Sequence, residues 1–374
     1  LQVTATPYSL FLQPDGMIEL SNGGHAQPWR PRFTSIVPVH DRYIGGQQYF
    51  VDSRDEASMY SHLFHPISEK CIEVLGRRNK HYLSRGTESK NIEDLTDAVT
   101  SYFIGTAIRS IQEEELGRAY QSSALIHCDI AQKAHKWQSE LIASVVNGVC
   151  RAICSRPQDE RMDLLIRELY YDFEQSNKKA RTQGLIDVKL PPRTAVIKRM
   201  QQIFEREDYR IYVVNSQNDV PNMLDDSGQL KLSCTANIFI GGSILDRGIT
   251  IGKMICFFYG RDPKKFQMDT VLQHARMFGA RGKEDMAVTR FHTTPAIYQV
   301  FSHMNEIDDQ LRETLISWEA ESGDAPLEAI FVGYDKVIKP CASQKIKVAD
   351  TLVLKSHYRL YPRGFQAGYK TNIG

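Results

Sequence analysis

In an open parallel sheet, ligands bind at the carboxyl ends of the strands, so polar residues that directly follow apolar runs are the first candidates for chemistry. Asn237-Ile-Phe-Ile240 is one such run, and Gly241-Gly-Ser-Ile-Leu-Asp-Arg-Gly-Ile-Thr-Ile251 follows it. Within that loop Asp246 and Arg247 set a carboxylate beside a guanidinium, and Gly248 allows a tight turn with positive φ. Met254-Ile-Cys-Phe-Phe-Tyr259 is a second run, followed by Gly260-Arg-Asp-Pro263 and then the helical stretch Asp269 to Arg281. Gln273, Arg276 and Arg281 lie on that stretch, and a guanidinium offers a planar fork suited to phosphate oxygens. The plainer alternative is an arginine paired with a carboxylate of the sheet, and both readings stand.

Other constellations offer other chemistry. Asp187-Val-Lys189, with Asp172 upstream, is the nearest pattern to a nuclease in which two carboxylates and a lysine converge on Mg²⁺. His127, Cys128, His135 and His292 resemble ligands on paper, but His127 falls inside an apolar strand and reads as a core histidine. Trp29, Tyr43, Tyr49 and Phe50 flank the Arg30/Arg32 cluster and suit either base stacking or core packing. Further basic clusters stand at Arg77/Arg78/Lys80, Lys178/Lys179/Arg181 and Lys264/Lys265. The overall balance of 46 basic to 45 acidic residues excludes a histone-like polycation and leaves a local nucleic-acid groove open.

The elements that must position these residues follow an α/β rhythm. The spacing of Leu95, Val99, Phe103, Ala107 and Ile111 predicts an amphipathic helix over 91–111. Strands are predicted at 124–128, 211–214, 237–240, 254–259 and 286–291. Helices are expected at 131–153, 163–173, 195–204, 269–278 and from Pro295 to about 321. Short apolar strands alternating with helices describe a parallel sheet covered on both faces. β structure is expected again at 329–332 and 352–358. The seven cysteines form no CxxC pair and read as reduced thiols of a cytoplasmic protein, with Cys150 and Cys154 on one helix face. No apolar run is long enough to span a membrane. The chain opens at Leu1 without an initiator Met or signal peptide, which suggests a fragment.

Taken in order, these residues resemble the C-terminal part of superfamily-two helicases. Val3-Thr-Ala-Thr-Pro7 looks like motif III, Ala124-Leu-Ile-His-Cys128 like motif IV, Ile238 to Ile251 like motif V and Asp269 to Arg281 like motif VI. A closer resemblance is to the bacterial Z-one domain family, whose members are described as endonucleases and lie beside restriction and repair genes. It rests on Leu1 to Pro7, Val37 to Gly46, Leu245 to Ile251 and Asp269 to Thr294, and runs from Leu1 to about Glu321. The resemblance implies a RecA-like domain with a helical insertion and a small C-terminal β-containing extension. It divides the chain into 1–20 (end of a truncated N-terminal RecA-like domain), 21–122 (mostly helical insertion), 123–300 (second RecA-like domain) and 301–374 (C-terminal extension). It implies that Thr4, Ala5, Thr6, Asp246, Arg247 and Gly248 couple nucleotide to DNA, and that Gln273 with Arg276 or Arg281 faces the γ-phosphate. Those groups should line one cleft at the carboxyl ends of the strands. The family's usual motif VI places arginines four and seven residues after the Gln, whereas here they follow at three and eight, so both stay candidates. DNA, the missing N-terminal domain in cis and restriction or repair proteins are the implied partners. ATP and Mg²⁺ are the implied cofactors of the full-length protein, not bound tightly by this chain. The 374 residues contain no GxxxxGK[ST] loop, which phosphoryl transfer in this class requires. A DNA motor subunit, a metal-dependent endonuclease and an inactive helicase-like scaffold are the three functions this reading carries forward.

Overall fold

The continuous apolar runs form the middle of a six-stranded sheet whose neighbouring strands all pair in parallel. In the computed structural model its strands are β1 (Phe64–Pro66), β2 (Ser122–His127), β3 (Tyr209–Val214), β4 (Ala236–Gly241), β5 (Met254–Tyr259) and β6 (Arg290–Thr293). Their spatial order is β1-β6-β5-β2-β4-β3. The structure describes residues 18–19, 24–26, 35–78, 82–83, 89–129, 132–155, 159–214, 223–241, 250–262, 266–268, 277–322, 338–339, 354–355 and 358–359. β2, β4 and β5 are buried at every position, as strands covered on both faces must be. The principal helices are α1 (Glu69–Gly76), α2 (Glu93–Glu115), α3 (Gln132–Cys154), α4 (Glu160–Thr182), α5 (Arg193–Glu205), α6 (Lys283–Ala287) and α7 (Pro295–Ser322).

On one face, Ala124, Ile126, Ile238, Ile240, Cys256 and Phe258 join a core of aliphatic and aromatic side chains with α2, α3 and α5. Gly105 lets α2 lie close to the sheet, since a Cβ there would stand 3.2 Å from the Val288 carbonyl oxygen. On the other face the cover is aromatic. Tyr49 and Phe50, from a π-helical turn at Gln47–Val51, meet Phe291, Tyr298 and Phe301. Tyr49 and Phe50 are wholly buried, so the core-packing alternative describes them.

The chain divides into two compact units, 39–262 with 274–302, and 1–38 with 263–273 and 303–374. The first contains the whole sheet. The second contains three two-stranded pairings among its described residues: Ile18–Glu19 with His25–Ala26, Phe266–Gln267 with Ile338–Lys339, and Leu354–Lys355 with Tyr358–Arg359. The last falls within the β structure expected at 352–358. The expectation for 329–332 lies outside the described residues, as do the segment Leu1–Pro7 that resembles motif III and all but residues 277–278 of the helix expected at 269–278.

Within 21–122, expected as a mostly helical insertion, β1 supplies a strand of the sheet and α2 runs through the principal core. Two expectations need correction. The helix expected over 163–173 is far longer, capped at its start by the Asp159 carboxylate, which accepts from the Met162 amide. The strand expected at 286–291 begins later, at Arg290, because Lys283-Glu-Asp opens α6, where acidic side chains favour a helix start. Among the described residues no helix is long and apolar enough to cross a membrane.

Asp97 on α2 provides a titration test of this packing. Burial, then the carboxylates of Glu93, Asp94 and Glu168, push it up to about 7 against the opposing pull of Arg161. The folded protein therefore keeps a proton that the unfolded chain releases near its ordinary value of about 3.9, so the carboxylate costs stability increasingly as pH rises between the two. Asp97→Asn should raise the melting temperature by several degrees at about pH 8, with the gain gone near pH 4. Equal melting temperatures at the higher pH would count against this environment.

Candidate functional site

Three adjacent strands, β5, β2 and β4, deliver the chain to one edge of the sheet. β2 ends at His127 before Cys128 and Asp129, β4 at Gly241 before segment 242–249, and β5 at Tyr259 before Gly260, Arg261 and Asp262. His127 is 1% exposed and its ring stacks on Tyr259 with centroids 5.3 Å apart. Burial, then the charges of Arg261 and His135, lower its pKa to about 3, so it is a neutral core histidine, as its place in an apolar strand suggests. His135 Nε2 hydrogen-bonds the Asp129 carbonyl oxygen at 2.8 Å. The Gly260 amide donates to the His127 carbonyl, and a Cβ at 260 would stand 2.2 Å from Ile72 Cδ1 and 3.1 Å from Cys128 Sγ. A side chain at 260 would therefore have to displace Ile72 where β5 leaves the sheet. Burial raises the Cys128 thiol well above its ordinary value, which disfavours the thiolate form that a nucleophile needs. The described edge carries charges of both signs, Arg261 with Asp129 and Asp262.

Of the residues singled out from the motifs, Thr4, Ala5, Thr6, Asp246, Arg247, Gly248, Gln273 and Arg276 lie outside the described residues. Arg281 is described, and its contacts are at the other end of the sheet. Its Nη1 donates to the carbonyl oxygen of Met254, the first residue of β5, at 2.8 Å and to the Tyr49 hydroxyl at 3.3 Å. Its amide donates to the Arg42 carbonyl, continuing the antiparallel pairing of Gly279–Ala280 with Tyr43–Ile44. At about 3.3 Å per residue, β5 separates that carbonyl from the carboxyl edge by roughly 16 Å. The expectation that Arg281 shares the carboxyl-end cleft therefore does not match its described contacts.

The carboxylate–lysine pattern also comes apart. Asp187 and Lys189 are exposed on an extended segment between α4 and α5 that belongs to no strand. Asp172 instead anchors a partly buried network that the motifs did not reveal. Arg290 Nε donates to its Oδ2 at 2.7 Å, His62 Nδ1 meets its Oδ1 at 2.5 Å, and His65 Nε2 lies 3.5 Å from Oδ2. Burial opposes ionisation of Asp172, but Arg290 and the bonds from both histidines hold its pKa well below the usual carboxylate range. The Arg290 guanidinium lies 4.2 Å from the centre of the Phe173 ring. His292, wholly buried beside His65, is held well below its ordinary pKa by burial and then by the charges of His65 and Arg290. The one sequence signal of this network is Arg290 itself, a charged residue between the apolar Met286-Ala-Val288 and Phe291.

The implied cofactors can be tested against these groups. Among the described residues, no group of three or more His, Cys, Asp or Glu side chains could hold a metal ion. The described edge supplies neither a lysine-bearing phosphate loop nor a carboxylate set for Mg²⁺. These residues do not make an ATP·Mg²⁺ site by themselves, and no step of phosphoryl transfer is derived from them.

Comparison with known proteins gives one match: the model of the Z1 domain matches residues 94–331. The matched span begins within α2 rather than at Leu1 and includes β2 to β6. No curated protein and no solved structure matches the chain.

Proposed function

The chain belongs to the Z1 domain family, and on that premise we propose that it is the C-terminal, DNA-coupled part of a superfamily-two helicase-like motor acting in restriction, defence or repair. The observation that carries this reading is the convergence of β2, β4 and β5 on one edge of a parallel sheet consistent with a RecA-like layout. β2 itself resembles motif IV, β4 runs into the segment resembling motif V, and β5 leads towards the one resembling motif VI. In this reading Asp246 and Arg247 relay between DNA and nucleotide, Gly248 permits the turn, and Gln273 with Arg276 faces the phosphates. Bound ATP·Mg²⁺ would supply the scissile phosphoanhydride and charge neutralisation, held chiefly by a P-loop that this sequence lacks.

The test is ATP hydrolysis measured as phosphate release. This chain alone should match the buffer rate. A longer protein in which it accompanies a domain with a GxxxxGK[ST] loop should hydrolyse ATP, and duplex DNA should accelerate it. Turnover by the chain alone, after removal of contaminating ATPase, would overturn the reading.

A further inference from the structure

The last two turns of α4 and the extended segment after it form a groove with a marked excess of positive charge. Lys178 and Arg181 line it from the helix and Lys189 from the segment, with Glu174 the single acidic group. Gln175, Asn177 and Thr182 complete its polar surface, and Leu190 is the apolar residue in the lining. All three cations are exposed, and none forms an ion pair among the described residues. That sets them apart from Arg78, Arg161, Arg167, Arg193 and Arg199, each of which meets a carboxylate. Cations near a helix C-terminus are favoured by the dipole in any protein. Lys189, however, is outside the helix and is brought in by other bonds. Gln112 Nε2 donates to its carbonyl oxygen at 2.9 Å, and the Tyr170 hydroxyl donates to the Pro191 carbonyl at 2.7 Å. The segment is thus held in place before any ligand arrives.

We infer that this groove binds the sugar–phosphate backbone of duplex DNA. Three unpaired cations in an open trough match a line of phosphates, and side-chain amides and a hydroxyl beside them can donate to the same oxygens. Among the described residues the lining contains no aromatic ring, the stacking platform by which single-strand binders hold splayed bases. The groove is also distinct from the carboxyl edge. Ser176, on the same stretch of α4, donates to the Ala287 carbonyl just ahead of the first residue of β6, which is the amino side of the sheet. The inference shares with the motor reading only its nucleic acid, and needs neither ATP nor a P-loop.

Fluorescence anisotropy with a labelled 20-base-pair duplex, without nucleotide and over a series of salt concentrations, provides the test. The triple variant Lys178→Gln, Arg181→Gln, Lys189→Gln should lower the slope of log affinity against log salt by about 2 to 3. Its affinity should fall on the order of a hundredfold at 0.1 M salt. Glu174→Gln should tighten binding, and Arg78→Gln and Arg161→Gln should leave it unchanged. The substituted side chains are exposed, and an unchanged melting temperature confirms that the variants fold. The inference is overturned if the unsubstituted chain does not bind the duplex, or if the triple variant keeps the original salt slope. A single-stranded 20-mer that binds more tightly through the same three cations would overturn the duplex assignment. None of these results depends on ATP turnover, so failure here and failure of the motor reading can be told apart.

Discussion

Replacing Arg276 by Ala in a P-loop-bearing longer protein should lower DNA-stimulated ATP turnover by roughly a thousandfold or more, with a much smaller effect on ATP affinity. A guanidinium beside the transferring phosphoryl group neutralises charge that develops in the transition state, so its loss appears in kcat before KM. Arg276 and Arg281 start as equal candidates, but the contacts of Arg281 at the amino end of β5 separate them. Arg281→Ala should remove the donor to the Met254 carbonyl and destabilise the fold by about 1–3 kcal/mol. Turnover per folded molecule should stay near that of the unsubstituted protein. The measurement is single-turnover hydrolysis alongside thermal melts of both variants. A thousandfold loss in Arg281→Ala with an unchanged melting temperature would reverse the assignment.

Arg290→Met should be the most destabilising single change in the sheet. The side chain is 1% exposed and donates to Asp172, to the Ala287 and Thr289 carbonyls, and its guanidinium lies over Phe173. Methionine fills similar space but leaves a partly buried carboxylate without its strongest partner, a loss of up to about 3–5 kcal/mol. That corresponds to a fall in melting temperature of about 10 °C for a unit of this size. Adding Asp172→Asn should recover part of the loss, because the uncompensated charge goes with it. The sign of the pH dependence follows from the depressed Asp172 pKa: its stabilisation is present above the unfolded value of about 3.9 and is lost as pH falls below it. The margin between Arg290 and its replacement should therefore narrow in acid. Equal melting temperatures at neutral pH would show that the pair adds nothing.

Legibility in the sequence followed apolar continuity. Met254–Tyr259 could be read to the residue because a strand buried on both faces leaves an unbroken apolar run. Phe64–Pro66 was missed because three residues, one a histidine and one a proline, hold no period to read. Residues 286–291 misled because Met286, Ala287 and Val288 are apolar in either a helix or a strand, and the switch is made by the acidic turn before them. At the candidate site, the strands that lead to the motifs were legible. The Asp172–Arg290–His62 network was not, because its three members are far apart in the chain and no spacing links them.

The order of strands also sets an order of assembly. β2, β4 and β3 are neighbours in the sheet and lie close enough in sequence to pair while the rest of the chain is still emerging from the ribosome. β1 is made first among the six but pairs only with β6, whose residues are made last, so Phe64 must wait for Phe291. The loop closed by that pairing is nearly the whole unit, and closing it contributes nothing until β5 is in place to receive β6. Docking of the first strand is therefore a late event, and a nascent chain stopped short of Arg290 would carry an unpaired edge open to misassociation.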